Sequence, residues 1–220
     1  MPLKAQPEAT ASRIRRTRGR PPLGQTEHRR ILDTTADVFL EKGFERANTN
    51  EIARRAKTSK QTLYSLFPNK ADLFVGVISA YTDHLFERHV EFIQSGKSPS
   101  NTLNEMGNMI LGLFSAPRFL ALFRILVAEA HNFPGLARQL RYACTERGYK
   151  LLAEYLKSRR IGGPHYRKAA EQFVSFVLGD FMINAMLNPD LQLTERDLRL
   201  RVRHAVRDFL RLHSREIAGA

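Results

Sequence analysis

Tryptophan is absent from this 220-residue chain, cysteine occurs once, and 22 acids face 35 lysines and arginines. The lone Cys144 excludes an internal disulfide and a thiolate metal cage, and it suits a reducing, cytoplasmic setting. No apolar run approaches the roughly 20 residues that a membrane-spanning helix needs, so no membrane partner is expected. Basic residues open the chain with no apolar stretch behind them, which is not the layout of a secretory signal. Sustained strand alternation, repeats and low-complexity segments are also missing. So are the usual catalytic signatures: there is no His-Glu-x-x-His, no Gly-x-Ser-x-Gly and no phosphate-cradling glycine loop, and Gly162-Gly163-Pro164 reads as a helix break. His28, His84, His89, His131, His165, His204 and His213 are scattered, and His84 and His89, five apart, do not share a helix face. These absences point away from an enzyme, a metal site and a cofactor.

What is present is a hydrophobic fraction of 43%, ordinary for a globular protein, with apolar residues recurring at three- and four-residue steps. The chain reads as all-α. Its net charge of +13 is unevenly spread, with six basic residues against one acid over residues 1–24. That stretch is expected to be a disordered basic arm of the kind that binds a polyanion or merely solubilises. Within it Gly19-Arg20-Pro21 resembles the core of an AT-hook. Arg20 suits a narrow A·T-rich minor groove, and Arg15, Arg16 and Arg18 suit phosphates.

The next stretch, 25–72, reads as a three-helix DNA-binding domain. A first helix over 26–42 carries Ile31, Leu32, Thr35, Ala36, Phe39 and Leu40 on one stripe and stops at Gly43. Asn48 can cap a second helix, with Glu51 completing a capping box. Ile52, Ala53 and Ala56 face inward, and Lys57-Thr58 makes the turn. Ser59 caps a third helix, which buries Leu63, Leu66 and Phe67 and leaves Lys60, Gln61, Thr62 and Ser65 free. Proline then bars helical geometry just before Pro68. A short, capped, polar-faced helix on a small apolar support is what a helix-turn-helix offers a major groove.

These residues also carry a family resemblance. Ile31, Ala36, Phe39, Gly43-Phe44, Glu51-Ile52-Ala53, Ala56, Ser59-Lys60-Gln61-Thr62-Leu63-Tyr64, Phe67-Pro68, Lys70 and Leu73-Phe74 together resemble the DNA-binding domain of the TetR family of bacterial repressors. Three positions depart from the pattern. Lys57 replaces a usual glycine, Thr58 a usual aliphatic residue, and Leu66 an aromatic or histidine that often meets a phosphate. On residue chemistry, Gln61 suits adenine, Lys60 guanine or phosphate, and Thr62 a thymine methyl. Tyr64 and Lys70 suit phosphates, as the resemblance also implies. The expected DNA contacts are therefore Arg18, Arg20, Asn48, Ser59, Lys60, Gln61, Thr62, Tyr64, Ser65 and Lys70.

Residues 73–220 read as a helical effector-binding and dimerisation domain. A long helix from Lys70 to about residue 93 would link it to the head as a lever. Further helices are expected at 102–114, 117–130, 134–159, 165–187 and 195–215. Phe114, Phe123, Tyr142, Phe173 and Phe176, with Glu129, His131 and Asp180 as polar partners, are expected to line a ligand pocket, although aromatics at helical spacing also read as plain core. A buried acid there could pair with a cationic ligand. The resemblance implies that the last two helices pair with their copies across a two-fold axis, through Phe173, Val177, Phe181, Leu198, Val202, Val206 and Phe209. The same residues also read as intramolecular core. Together these readings describe a homodimeric regulator, a repressor by resemblance. It would bind double-stranded palindromic operator DNA through residues 59–67 and be released by a small-molecule effector. The rival is an architectural A·T-preferring protein led by the arm, with a purely dimerising C-terminal domain.

Overall fold

In a computed structural model, which describes residues 24–188, 191 and 193–218, every regular element is a helix. The arm, with Arg18 and Arg20, lies outside the described residues. Helix α1 (Gln25–Arg46) buries the expected stripe of Ile31, Leu32, Thr35, Ala36 and Phe39. Its regular part stops at Gly43, whose φ of 75° is a backbone state that glycine reaches at no steric cost. Helices α2 (Thr49–Arg55) and α3 (Lys60–Leu66) bury Ile52, Ala53 and Leu63 against it, and Ala56 and Phe67 close the same core. Phe74 stands edge-on to both Phe39 and Phe44, with ring centroids 4.9 and 5.6 Å apart.

The turn between α2 and α3 is a Schellman motif. Thr58 N–H donates to the Ala53 carbonyl (2.9 Å) and Lys57 N–H to the Arg54 carbonyl (3.2 Å), so Lys57 sits in the left-handed region at φ 48°. The lysine accepts the strain that a glycine would avoid, about 1 kcal/mol. Beside it the buried Thr58 hydroxyl has no hydrogen-bond partner. Thr58→Val should therefore raise stability by about 1 kcal/mol, read from the urea midpoint, because it removes an unsatisfied polar group at nearly constant volume.

Helix α4 (Lys70–Glu87) ends earlier than expected. Its 18 residues reach roughly 27 Å, and Arg88 (φ −79°, ψ −4°) separates it from the short α5 (His89–Gln94). At this break the Arg88 side chain pairs with Glu91 (3.2 Å), donates to Met109 Sδ (3.6 Å) and covers the Phe92 ring, contacts that hold the corner.

Three following helices each begin at proline, where the missing N–H has no helical partner to lose. They are α6 (Pro99–Ser115), α7 (Pro117–Glu129) and α8 (Pro134–Leu140). A π-helical turn (Arg141–Glu146) then interrupts the helix expected over 134–159, and α9 (Arg147–Ser158) follows. Helix α10 (Tyr166–Leu187) is bent at Gly179, and Arg201 donates to the Val177 and Leu178 carbonyls freed there (2.8 and 3.1 Å). Helix α11 (Glu195–Ala218) opens on a reciprocal cap between Thr194 and Asp197.

Packing crosses the boundary expected at residue 72. Phe119, Leu122, Leu136 and Leu140 join the head's aromatic core, and Arg118 of α7 bonds Asp37 (2.7 Å), the Asp33 carbonyl (3.1 Å) and Tyr81 Oη (2.8 Å). A second core unites α6, α9, α10 and α11. It takes up most of the expected dimer set. Phe173, Val177, Phe181, Val202, Val206 and Phe209 are buried within this one chain, and Leu198 packs against them. Their partner is α6, which approaches so closely at Gly107 that a Cβ there would lie 2.7 Å from Val202. An inward apolar face is legible in sequence; what it packs against is not.

Candidate nucleic-acid interface and ligand cavity

Helix α3 is placed by its own cap. Ser59 Oγ accepts from Thr62 N–H (2.9 Å) and lies 2.8 Å from Thr62 Oγ1, so the Thr62 hydroxyl is engaged. Lys60, Gln61, Tyr64 and Ser65 are exposed while Leu63 is buried, with the Lys60 ammonium 5.7 Å from the centre of the Tyr64 ring. Tyr64 Oη meets Thr49 Oγ1 at 3.0 Å, joining α3 to the start of α2. Asn48 caps α2 as expected, accepting from Asn50 N–H (2.8 Å). Glu51 does not complete the capping box; it turns to Lys42 and to Arg55 (2.7 Å), which also holds Glu41 (2.7 Å). This network neutralises two acids where α1 and α2 meet.

Its pH dependence follows from the cations. The Lys42 hydrogen bond, then charge from Lys42 and Arg55, holds Glu51 below the ordinary glutamate value of 4.5, and Arg55 does the same to Glu41. Depressed carboxylates stabilise the fold above 4.5, and that contribution is lost as pH falls through the lower folded-state values. Glu51→Gln should flatten the loss of melting temperature below pH 4.5 while leaving the shape near neutrality unchanged, as followed by circular dichroism.

Lys70 is not on the α3 surface. Its ammonium donates to the Glu45 and Ala47 carbonyls (2.7 and 3.3 Å) and sits 4.9 Å from the Phe44 ring, tying the start of α4 to the end of α1. Burial lowers its pKa, opposed by Glu129 and Glu45. Two of its three N–H bonds are used in these contacts.

Behind the head, a cavity of about 330 Å³ opens between α4, α5, α6, α7, the π turn, α9 and α10. Leu85 and Phe86 of α4, Met106, Met109 and Ile110 of α6, and Leu178 and Met182 of α10 form part of its wall. Polar side chains are few: Thr82, Cys144, Thr145 and Tyr149. Thr82 Oγ1 donates to the Ser79 carbonyl (3.0 Å) and lies 3.6 Å from Cys144 Sγ.

The tetR-family model of bacterial regulatory proteins matches residues 31–77, and the model for the C-terminal domain of AefR-like transcriptional repressors matches residues 101–215, just over half the chain. The chain belongs to the TetR family. The HTH-type transcriptional regulator YdeS of Bacillus subtilis is 42% identical over 69 residues, 31% of this chain and 34% of YdeS. The nucleoid occlusion factor SlmA of Mannheimia succiniciproducens is 33% identical over 107 residues, 48% of each chain. The chain thus spans less than half the length of these curated relatives. Among solved structures, the flavonoid-responsive regulator FrrA is 28% identical with a TM-score of 0.67, covering 86% of this chain and 97% of its own. A TetR-family regulator from Mesorhizobium loti has a TM-score of 0.73 at 22% identity over 85% of this chain and 96% of its own, a likeness of fold.

In this TetR chain the expected pocket residues divide. Phe114 and Phe123 line the cavity. Glu129 lies near Lys70, at the head, and His131 is exposed in the loop after α7. Tyr142 points outward at 78% exposure, and Phe176 is exposed on the outer face of α10. Phe173 is core, its ring 5.3 Å from that of Phe209. Asp180 is exposed and bound to Arg201 (2.6 Å), which holds its carboxyl below the usual range. Asp180 found its cation at the surface, where hydration and pairing cost less than burial. The sequence reading missed Thr82, Phe86, Met109, Cys144, Thr145 and Leu178; only the methionine-rich α6 hinted at an adaptable wall.

Proposed function

We propose that the protein is a homodimeric TetR-type repressor that places α3 in successive major grooves of a palindromic operator and leaves DNA when a small molecule fills the cavity. The observation that carries this is the α3 surface, where Lys60, Gln61, Tyr64 and Ser65 stand exposed on a capped helix with a buried apolar back. Base contacts would come from Gln61 and the Thr62 methyl, and phosphate contacts from Lys60, Tyr64, Ser65 and the spare Lys70 donor, with Asn48 and Ser59 holding the helix ends. Arg18 and Arg20 would add minor-groove contacts from the arm.

The dimer would use the outward faces of α10 and α11, where Phe176, Ile183, Leu187, Leu200 and Leu212 are exposed. Phe176 and Leu200 border one surface hollow, so the two faces are continuous. Effector coupling has a direct route. The helix that gives Thr82, Leu85 and Phe86 to the cavity begins at Lys70, which grips the end of α1, and α7 carries both Phe123 and the Arg118 clamp. An effector releases DNA only by preferring the form whose two heads are misplaced; equal affinity for both forms would shift nothing. FrrA responds to flavonoids, which agrees with an aromatic-lined site. Nothing in this reading calls for catalysis.

Gln61→Ala should relax preference at one base position by about 1–3 kcal/mol, whereas Lys60→Ala should lower the salt slope by about 1. Operator titrations at several salt concentrations test both. Equal loss on every sequence from Gln61→Ala would count against base reading by that amide.

A further inference from the structure

The cavity wall carries no charged side chain, and this sets the chemistry of what can fill it. Resting on the effector reading above, we propose that the cavity takes an uncharged, mainly apolar molecule of roughly two-ring size, with one hydrogen-bonding end at the Thr82–Cys144–Thr145–Tyr149 corner.

The size follows from the volume. About 330 Å³ is at the small end for ligand sites, which run from about 300 to 1,000 Å³. The polarity follows from how the elements meet. Thr82 touches Cys144, Thr145 is next in the chain, and Tyr149 lies one helical turn beyond it on the same face. The polar groups therefore share one end, leaving Phe92, Met106, Ile110, Val174, Leu178 and Met182 among the apolar remainder. Thr145 is exposed, so this corner is the open end.

Neutrality is maintained by burial, which raises the Cys144 thiol and the Tyr149 phenol above their ordinary values and keeps both protonated near neutral pH. Three charged groups beside the wall are already matched. Arg88, which reaches Met109 from outside, is paired with Glu91; Arg147 is paired with Asp83 (2.9 Å); and Glu146 with Arg141 and Arg167 (2.6 and 2.8 Å). A carboxylate or ammonium entering the cavity would lose water and gain no counter-ion. Met106, Met109 and Met182 can repack around different outlines, so the site selects on charge more strictly than on shape.

The test uses full-length protein without DNA at pH 7.5 and three molecules of one outline: 4-phenylphenol, biphenyl-4-carboxylate and biphenyl-4-methylammonium. Calorimetric titration should show the phenol binding at least tenfold more tightly than either ion. A smaller preference, or no binding of the phenol, overturns the proposal. Thr145→Lys, at an exposed position that should tolerate lysine, places an ammonium at the open end and should raise carboxylate affinity about tenfold. Unchanged affinities for all three would place the binding elsewhere and overturn the proposal as well. Adding operator DNA separates this from the effector reading. Phenol binding that leaves DNA affinity unchanged contradicts effector control but keeps the ligand class. DNA release by an ion that outbinds the phenol does the reverse.

Discussion

Phe209→Ala should lower the free energy of unfolding by about 3–5 kcal/mol and unfold much of the population at 37 °C. Phe209 is fully buried, edge-on to Phe173, and packs in the core where α6, α10 and α11 meet. Truncation removes a large apolar surface and leaves a cavity that the close α6–α11 contact at Gly107 cannot collapse to fill, because those helices already touch. Chemical denaturation at several protein concentrations distinguishes the two roles considered for this side chain. A core residue shifts the midpoint at every concentration, including those where the protein is monomeric. An interface residue would shift it only where subunits associate.

The converse prediction concerns the outward face. Ile183→Arg combined with Leu200→Arg should leave helix content and the monomer's stability within about 0.5 kcal/mol of the parent, since both side chains are exposed in the single chain. The same pair should dissociate the proposed dimer, because two copies of each arginine would meet across a two-fold contact that buries them unpaired. Operator affinity should then fall by a factor of about 100 or more, the usual gain from joining two weak heads. Sedimentation and DNA titration on the same sample read both effects. A dimer that survives, with DNA affinity unchanged, would place the interface elsewhere.

These two predictions fall where sequence and structure parted. Local signals were easily read. Gly43 ends the regular part of α1, Asn48 and Ser59 cap α2 and α3, and Leu63 faces inward, because each is decided by neighbours within a few residues. Tertiary choices were not legible. Residues 173–187 of α10 are apolar nearly all round, so composition could not say which side α6 takes and which stays exposed. The break at Arg88 depends on Glu91, Met109 and Phe92 being in place, and Met109 comes from another helix. The π turn at 141–146 carries no breaker residue, since RYACTE has neither glycine nor proline. The cavity is bounded by six helices and the π turn, so its lining is a property of their packing. Phe114 and Phe123 were found by composition; Thr82 and Leu178 required the fold.

Selection from random double-stranded DNA by the purified full-length protein, at physiological salt, tests the central claim most directly. The account predicts enrichment of one short palindrome whose half-sites lie about 10 base pairs apart, or a multiple of that, as two α3 helices on one face of the duplex require. Enrichment of A·T-rich sequence without symmetry would contradict it, and would assign recognition to the basic arm instead of to α3.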